Sequence, residues 1–232
     1  DANIPFVGCS RWLSGRAKKS YLLRGKAVLS IPNPIDTKVY HPMDQGMARE
    51  LLGLPLGKRL LLFGALNVTD KRKGIDYLIE ALRRMEKQDV ELVVFGQVKD
   101  DIRGLFPVPI HSMGYLSDES KIVALYNAVD MFITSSLEEN LPNTIMESMA
   151  CGTPCVGFEI GGIPEMIDHR VNGYVANYKD AGDLANGIQW VLEHEDRLAL
   201  SDACVKKVQE NYTEEVVAKQ YTALYEKLLK GE

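Results

Sequence analysis

The chain has 232 residues, 46% of them apolar, and a formal net charge of −5. That length suits one large or two small domains with an ample core, and the acidic balance gives no basic footprint for nucleic acid. No apolar run approaches a bilayer-spanning length. The four cysteines (Cys9, Cys151, Cys155 and Cys204) form no Cys-x-x-Cys and no zinc spacing with His, so they read as buried, reduced thiols of a cytosolic protein.

In chain order, Asp1-Ala2-Asn3 shows neither an initiator Met nor a signal-peptide pattern, and the chain is expected to be a piece of a longer one. Ile4 to Ser10 reads as a strand, followed by a short polar helix carrying Arg11, Arg16, Lys18 and Lys19 on a solvated face. Val28 to Ile31 is a second strand, ending at Pro32-Asn33-Pro34, where two prolines force an extended turn. Strands and helices then alternate. Lys58 to Ala65 is a continuous apolar run of the kind that suits a parallel sheet covered on both faces. Gly74 to Met85 places Ile75, Leu78, Ile79 and Leu82 at helical spacing. Strands follow at Val90–Gly96, Pro109–Met113, Val129–Thr134, Pro154–Gly157 and Gly173–Ala176, with a helix over Asp118–Asn127. Helices fill about 180 to 230, the last an amphipathic one from Tyr212 to Leu229 carrying Val217, Tyr221, Leu224, Tyr225 and Leu228. Regular alternation predicts an α/β fold with a doubly wound, Rossmann-like parallel sheet. In such sheets ligands bind beyond the carboxyl ends of the strands, so the loops after strands are where function is sought.

The most informative of these loops opens residues 134 to 155, TSSLEENLPNTIMESMACGTPC. It carries two acids eight positions apart, Glu139 in a loop and Glu147 in a helix. Pro142 and Asn143 stand where that helix begins; Pro suits a first turn, and an Asn side chain can accept from the unpaired amides there. Thr144 to Cys151 is almost wholly small or apolar, which marks a buried helix. Glu147 is then a carboxylate that needs a partner: an Arg or Lys, a backbone amide or a ligand hydroxyl. An earlier loop, Leu66 to Gly74, runs into a helix whose free amides favour an anion, with Arg72 and Lys73 adding full charges; it reads either as a diphosphate site or as a solvated basic turn. The polar loop Gly96 to Asp101 is uninformative by itself. Gly114, Tyr115 and Leu116 precede Ser117 and Asp118, which make good helix caps. Gly161-Gly162 allows a close backbone approach to a neighbour or a ligand, and Pro164 and Glu165 fit a first helical turn.

ENLPNTIMESMACGTP resembles the Glu-x7-Glu motif of the retaining glycosyltransferase family 4, the group 1 glycosyltransferases of GT-B fold. The family often has Gly-Phe-Gly where Asn140-Leu141-Pro142 stands here, and Arg where Ala65 follows Gly64; Lys73-Gly74 matches the family's Lys-Gly. GGIPEMI also matches, and IPNPIDTKVYHP resembles the passage between the two GT-B domains. By this resemblance residues 1–27 are a remnant of the N-terminal acceptor domain and linker, 28–210 the domain that binds a nucleotide-sugar donor, and 211–232 a helix crossing back to the first domain. Apolar surface would then be exposed at both ends of the chain. Glu139 would lie at the donor sugar and act with Lys73 and Arg72 in catalysis, with Arg72 or Lys71 standing in for the Arg absent at Ala65. Glu147 would hold the ribose, while Gly64, Gly114, Tyr115, Leu116 and the stretch Asn140, Leu141, Pro142, Asn143 and Thr144 complete the substrate site. The resemblance implies a retaining, metal-independent enzyme with no cofactor and a UDP-sugar as donor. The acceptor, a glycan or lipid-linked chain, would bind in the other domain. The full protein is expected in the cytoplasm and could sit peripherally at the inner face of the membrane. This chain alone is expected to bind nucleotide and turn over poorly or not at all. A GT-B sugar-nucleotide epimerase and a non-catalytic nucleotide-binding module stay open as alternatives.

Other chemistries lack their signatures. No Gly-x-Gly-x-x-Gly follows a strand, and no Gly-x4-Gly-Lys-Ser/Thr is present. No Gly-x-Ser-x-Gly elbow occurs. There is no Asp-x-Asp, and His41, His111, His169 and His194 are scattered, with no pair at ligand spacing.

Overall fold

The apolar run at 58–65 becomes the centre of the sheet. The computed structural model describes residues 4–67, 70–85, 89–97 and 103–230. Their elements are β1 (Phe6–Gly8), α1 (Arg11–Lys19), β2 (Val28–Ser30), α2 (Gln45–Leu52), β3 (Arg59–Asn67), α3 (Ile75–Arg84), β4 (Val90–Gln97), β5 (Ile110–Gly114), α4 (Glu119–Ala128), β6 (Met131–Thr134), α5 (Asn143–Ala150), β7 (Cys155–Phe158), α6 (Ile163–Met166), β8 (Gly173–Ala176), α7 (Ala181–Leu192), α8 (Arg197–Asn211) and α9 (Glu214–Lys230). Six strands form one parallel sheet in the order β5-β4-β3-β6-β7-β8. The chain winds outward from β3 to β5, then returns to the other side of β3 with β6. The crevice where winding reverses, above the carboxyl ends of β3 and β6, is the position for a ligand in a sheet of this order.

Alternation along β3 explains its unbroken apolarity. Leu60 and Leu62 face a layer that includes residues of α2, α4, α5 and α8, whereas Leu61 and Phe63 face α3 and α7. Leu60, Leu61 and Leu62 are fully buried, each contributing about 1.5–3 kcal/mol relative to an exposed position. α2 was not anticipated from periodicity, yet its ends carry recognisable signals. Asp44 accepts a hydrogen bond from Met47 N at 2.8 Å, and Gly53 closes the helix in the left-handed region at φ 65°.

β2 pairs with β1 in a separate two-stranded parallel sheet rather than joining the larger one. This strand–helix–strand unit exposes Phe6, Trp12, Tyr21 and Leu22, and α9 exposes Tyr225 and Leu229 while burying only Val217. Apolar surface at both ends of the chain matches the expectation; core burial of the last helix does not extend beyond its first turns. Among the described residues no helix is long and apolar enough to cross a membrane.

The amino ends of β3 and β6 are fastened by a buried ion pair. Asp130 accepts from Arg49 Nη2 at 3.1 Å, from Leu60 N at 2.7 Å and from Arg197 Nη1 at 2.6 Å. Arg49 is buried as well and spends its other donors on the carbonyls of Ala128, Leu56 and Lys58. Removing one member of such a pair strands the other. Asp130→Ala is expected to cost about 3–5 kcal/mol, read as a lower urea midpoint at unchanged m-value.

Candidate functional site

Two loops meet at the switch point. After β3 the chain makes a single 3-10 turn over Lys71–Lys73, capped by Asp70, and enters α3 through Gly74 at φ 64°. After β6 it runs from Ser135 to Pro142 into α5. The backbone stitches the loops together. Leu137 N donates to Arg72 O at 2.7 Å, and Ser135 Oγ donates to Lys73 O at 3.0 Å. Gly74 lies so close to Ser135 that a Cβ on it would collide with the Ser135 carbonyl. The stitching brings Lys73 Nζ to Glu139 Oε1 at 2.5 Å, an ion pair across 66 positions of sequence with both side chains largely sheltered. Arg72 is turned outward instead. Its guanidinium is held on Asp70 at 2.7 Å, and this contact, together with the Arg72 amide, pulls the Asp70 carboxyl down to about 2. Val68 and Thr69 lie outside the described residues.

The loop after β7 supports Glu139 from beneath. A Cβ on Gly161 would strike the Glu139 carbonyl, one on Gly162 the Asn140 carbonyl, and Gly162 N donates to Asn140 O at 2.5 Å. The glycine pair therefore serves a close backbone approach. Asn140 turns its side chain to the N-terminal unit, accepting from Ser10 Oγ at 2.5 Å and donating to Cys9 Sγ at 2.9 Å. Glu165, on α6, accepts from the amides of Arg11 and Trp12 at 2.9 and 2.8 Å and so caps α1.

Glu147 is half-buried on α5, and its partner within the chain is neither a cation nor a backbone amide. The buried hydroxyl of Tyr126, on α4, donates to Glu147 Oε2 at 2.7 Å. Burial raises the Glu147 carboxyl above its ordinary value, and the nearby charge of Glu119 adds to this; the Tyr126 bond opposes them. Tyr126 is wedged edge-on between Phe95 and Phe132, with centroids 6.2 and 6.0 Å away. Phe95 reaches that position because Gly64 has no side chain; a Cβ there would overlap the ring. The CGTP turn ending α5 adds a further tie, since Thr153 Oγ1 donates to Tyr126 O at 2.8 Å.

The remaining predicted residues divide. Asn143 was expected to cap α5; instead Pro142 occupies the cap without a side-chain bond, and Asn143 is the first helical residue, exposed, with Oδ1 3.4 Å from Asn33 Nδ2. The first amides of α5 thus receive no side-chain acceptor from the cap. Thr144 is half-buried there, and Leu141 is buried in the core. Asp118, not Ser117, caps α4, accepting from Ser120 N at 3.0 Å. Just before it, Gly114 turns at φ 63° and leaves Tyr115 exposed, with Leu116 half-buried. Gly96, one residue before the end of β4, has φ 119°, and residues 98–101 of its loop lie outside those described. Sequence reading missed Tyr126, Phe95 and the Ser10–Asn140 contact. Tyr126 sits inside an apolar run, VALYNA, where it reads as plain core.

The free thiols of Cys151 and Cys155 are buried, and burial pushes both up to about 12, so they are inert packing groups. A cavity of about 230 Å³ lined by Asn127, Asp130, Thr153, Pro154 and Arg197 lies at the amino ends of β6 and β7, away from these loops. Among the described residues no three His, Cys, Asp or Glu side chains are grouped to hold a metal ion. What the switch point offers is chemistry for an anionic, hydroxyl-rich ligand: one sheltered ammonium, an open helix N-terminus and two carboxylates.

The sequence profile of the family described as Glycosyl transferases group 1 matches residues 57–194, more than half of the chain. Among curated proteins the chain is similar to N-acetyl-alpha-D-glucosaminyl L-malate synthase of Bacillus anthracis, 24% identical over 213 residues that make up 89% of this chain and 55% of the relative. It is also similar to D-inositol 3-phosphate glycosyltransferase of Corynebacterium aurimucosum, 27% identical over 195 residues, 75% of this chain and 45% of the relative. The chain spans about half the length of the curated relatives it matches. Among solved structures, sucrose-phosphate synthase from Thermosynechococcus elongatus superposes with a TM-score of 0.82 at 23% identity, covering 98% of this chain and 59% of that one. The Anabaena protein HepE, in complex with UDP, gives 0.79 at 20% identity, covering 95% and 63%. At such identities the likeness carries the fold.

The raised carboxyl of Glu147 has a consequence for stability. A folded-state value above the unfolded one gives stability that is full below the unfolded value and is lost as pH rises through the folded one. The stability that the protonated carboxyl contributes is therefore lost as pH rises through its folded-state value. Glu147→Gln, which does not titrate, is expected to gain in Tm over the unsubstituted chain as pH rises from about 4 to about 8, read by calorimetric scans across that range.

Proposed function

The chain belongs to the Glycosyl transferases group 1 family, and from that premise we propose that it is the donor-binding half of a retaining, metal-independent glycosyltransferase. One observation carries the reading: Lys73 and Glu139, 66 positions apart, meet at the sheet's switch point beside the uncapped start of the helix that bears Glu147. Lys73 holds the negative charge that builds on the departing diphosphate, the task a divalent cation performs elsewhere. The open amides at Asn143 and Thr144 assist it, with Arg72 at the rim once it leaves Asp70. Glu139 orients the sugar, Glu147 accepts from the ribose hydroxyls, and the backbone at Gly114, Tyr115 and Leu116 runs along the base. When the donor arrives, its phosphates compete with Glu139 for Lys73. The ion pair opens, and Glu139 is released to the sugar at the moment Lys73 is engaged.

The donor is a UDP-sugar; the likeness to HepE, whose structure holds UDP, supports this choice of base. Residues 28–210 form the donor domain, 1–27 belong with an acceptor domain carried by the longer protein, and α9 with the rest of 211–232 crosses back to it. The exposed apolar residues of β1, α1 and α9 support that arrangement. The acceptor, a glycan or lipid-linked chain, binds in the other domain, and the protein works in the cytoplasm.

Calorimetric titration of this chain with UDP, GDP and ADP, with and without magnesium, tests the reading. UDP is expected to bind without metal. Lys73→Ala and Glu147→Ala should each weaken it about tenfold or more, the scale of one lost charge-assisted hydrogen bond. Binding unchanged in both variants would overturn the assignment.

A further inference from the structure

The reading that gives Glu147 the ribose hydroxyls is the premise from which the role of a second residue can be assigned. A carboxylate that recognises a diol must present its oxygens in one orientation. A Glu side chain has three rotatable bonds with which to lose that orientation. On α5, half-buried, Glu147 has no cation to hold it among the described residues. Among the described residues its bond is to Tyr126, through Oε2, which leaves Oε1 for a ligand.

Tyr126 is unusually constrained for a residue with no assigned role. Its side chain is buried. Its ring is gripped edge-on by Phe95 and Phe132. Its carbonyl is tied to Thr153 Oγ1, and Thr153 is joined in turn to α5, since Ser148 Oγ donates to Thr153 O at 3.1 Å. The phenol can therefore put its hydroxyl in one place, and that place is Glu147 Oε2. The grip begins at Gly64, whose missing Cβ admits the Phe95 ring. Gly64 lies on β3, so the strand that leads to Lys73 also sets, through two aromatic rings, the acid on α5.

We infer that Tyr126 is the positioning residue for Glu147: its hydroxyl fixes Oε2 so that Oε1 faces the ribose hydroxyls of the nucleotide. The Phe95 ring, seated on Gly64, holds Tyr126 in register. The same hydrogen bond favours the ionised acid. Around Glu147 stand Tyr126 and Glu119 from α4, Tyr40 from the segment before α2, and Cys151 at the end of α5. Burial and the Glu119 charge work against ionisation, and of the groups around Glu147 the Tyr126 hydroxyl is the one that favours it. Losing it should raise the pH at which Glu147 takes up a proton and ceases to be a pure acceptor.

The test compares UDP with 2′-deoxy- and 3′-deoxy-UDP by calorimetric titration between pH 5 and 8. The proteins are the unsubstituted chain, Glu147→Gln, Tyr126→Phe and Phe95→Leu. The unsubstituted chain should prefer UDP over at least one deoxy analogue by about tenfold, the value of one hydrogen bond. Tyr126→Phe, which keeps the ring and all its aromatic contacts, should lose most of that preference. It should also move the acid limb of UDP binding upward by about one pH unit, while its affinity for inorganic pyrophosphate stays unchanged. Phe95→Leu, which removes no polar group, should lose part of the preference and provides a second reading if Tyr126→Phe folds poorly. If Glu147→Gln abolishes the preference but Tyr126→Phe and Phe95→Leu both keep it, with the acid limb unmoved, the positioning role is wrong and the ribose assignment stands. If Glu147→Gln itself keeps the preference, the ribose assignment falls and takes the inference with it.

Discussion

A doubly wound sheet has one pair of neighbouring strands that are not joined by a single crossover, and the register of that pair must be fixed by other contacts. Here the pair is β3 and β6. Asp130 fixes its amino end, binding the amide of Leu60 while Arg49 and Arg197 neutralise the carboxylate. The carboxyl end is fixed by the stitches from Ser135 and Leu137 to Lys73 and Arg72, and by the Lys73–Glu139 pair. Buried at one end and ligand-facing at the other, these contacts differ in what they can do. Replacing Asp130 leaves the buried Arg49 guanidinium without its counter-charge in the core. The Lys73–Glu139 pair sits where solvent or a ligand can take over either partner.

The loops around that upper end are shaped by absences of side chain. Gly74, Gly161 and Gly162 let one backbone lie against another, and Gly64 lets an aromatic ring lie across a strand. Each brings a charged group into place indirectly. Gly74 lets the Lys73 turn sit on Ser135. The glycine pair lets its loop support the peptide that carries Glu139. Gly64 admits the ring that grips the partner of Glu147. The acids and the base are thus positioned by contacts that carry no charge.

Much of this was legible in the sequence, and what was not has physical reasons. β3 and α3 announce themselves because a long run of one periodicity has few competing explanations. The two acids and Lys73-Gly74 stand out because charged residues next to glycine and proline, after a strand, have few structural uses. The partner of Glu147 was hidden because a Tyr within an apolar helix looks like core, and only the packing of α4 against α5 shows where its hydroxyl ends. Asn143 misled because Asn is a good cap acceptor, but the helix starts one residue earlier than that role requires, at Asn143 itself, with Pro142 in the cap position. The orientation of Arg72 was hidden because it has a nearer acceptor in Asp70, two residues back. Neither feature could be seen from residue type alone, since both turn on a shift of one or two positions.

Asn140 is the residue next to Glu139, and its side chain is bound on both sides by residues 130 positions earlier. Glu165 is likewise bound to the start of α1. A shortened chain beginning at Val28 would retain every site residue that the sequence singles out. It would nonetheless remove Cys9 and Ser10 from the amide of Asn140, and the amides of Arg11 and Trp12 from the carboxylate of Glu165. The N-terminal strand–helix–strand unit is thus a brace on the binding loops from outside the donor domain, and trimming to the sheet would remove one support of the peptide next to Glu139.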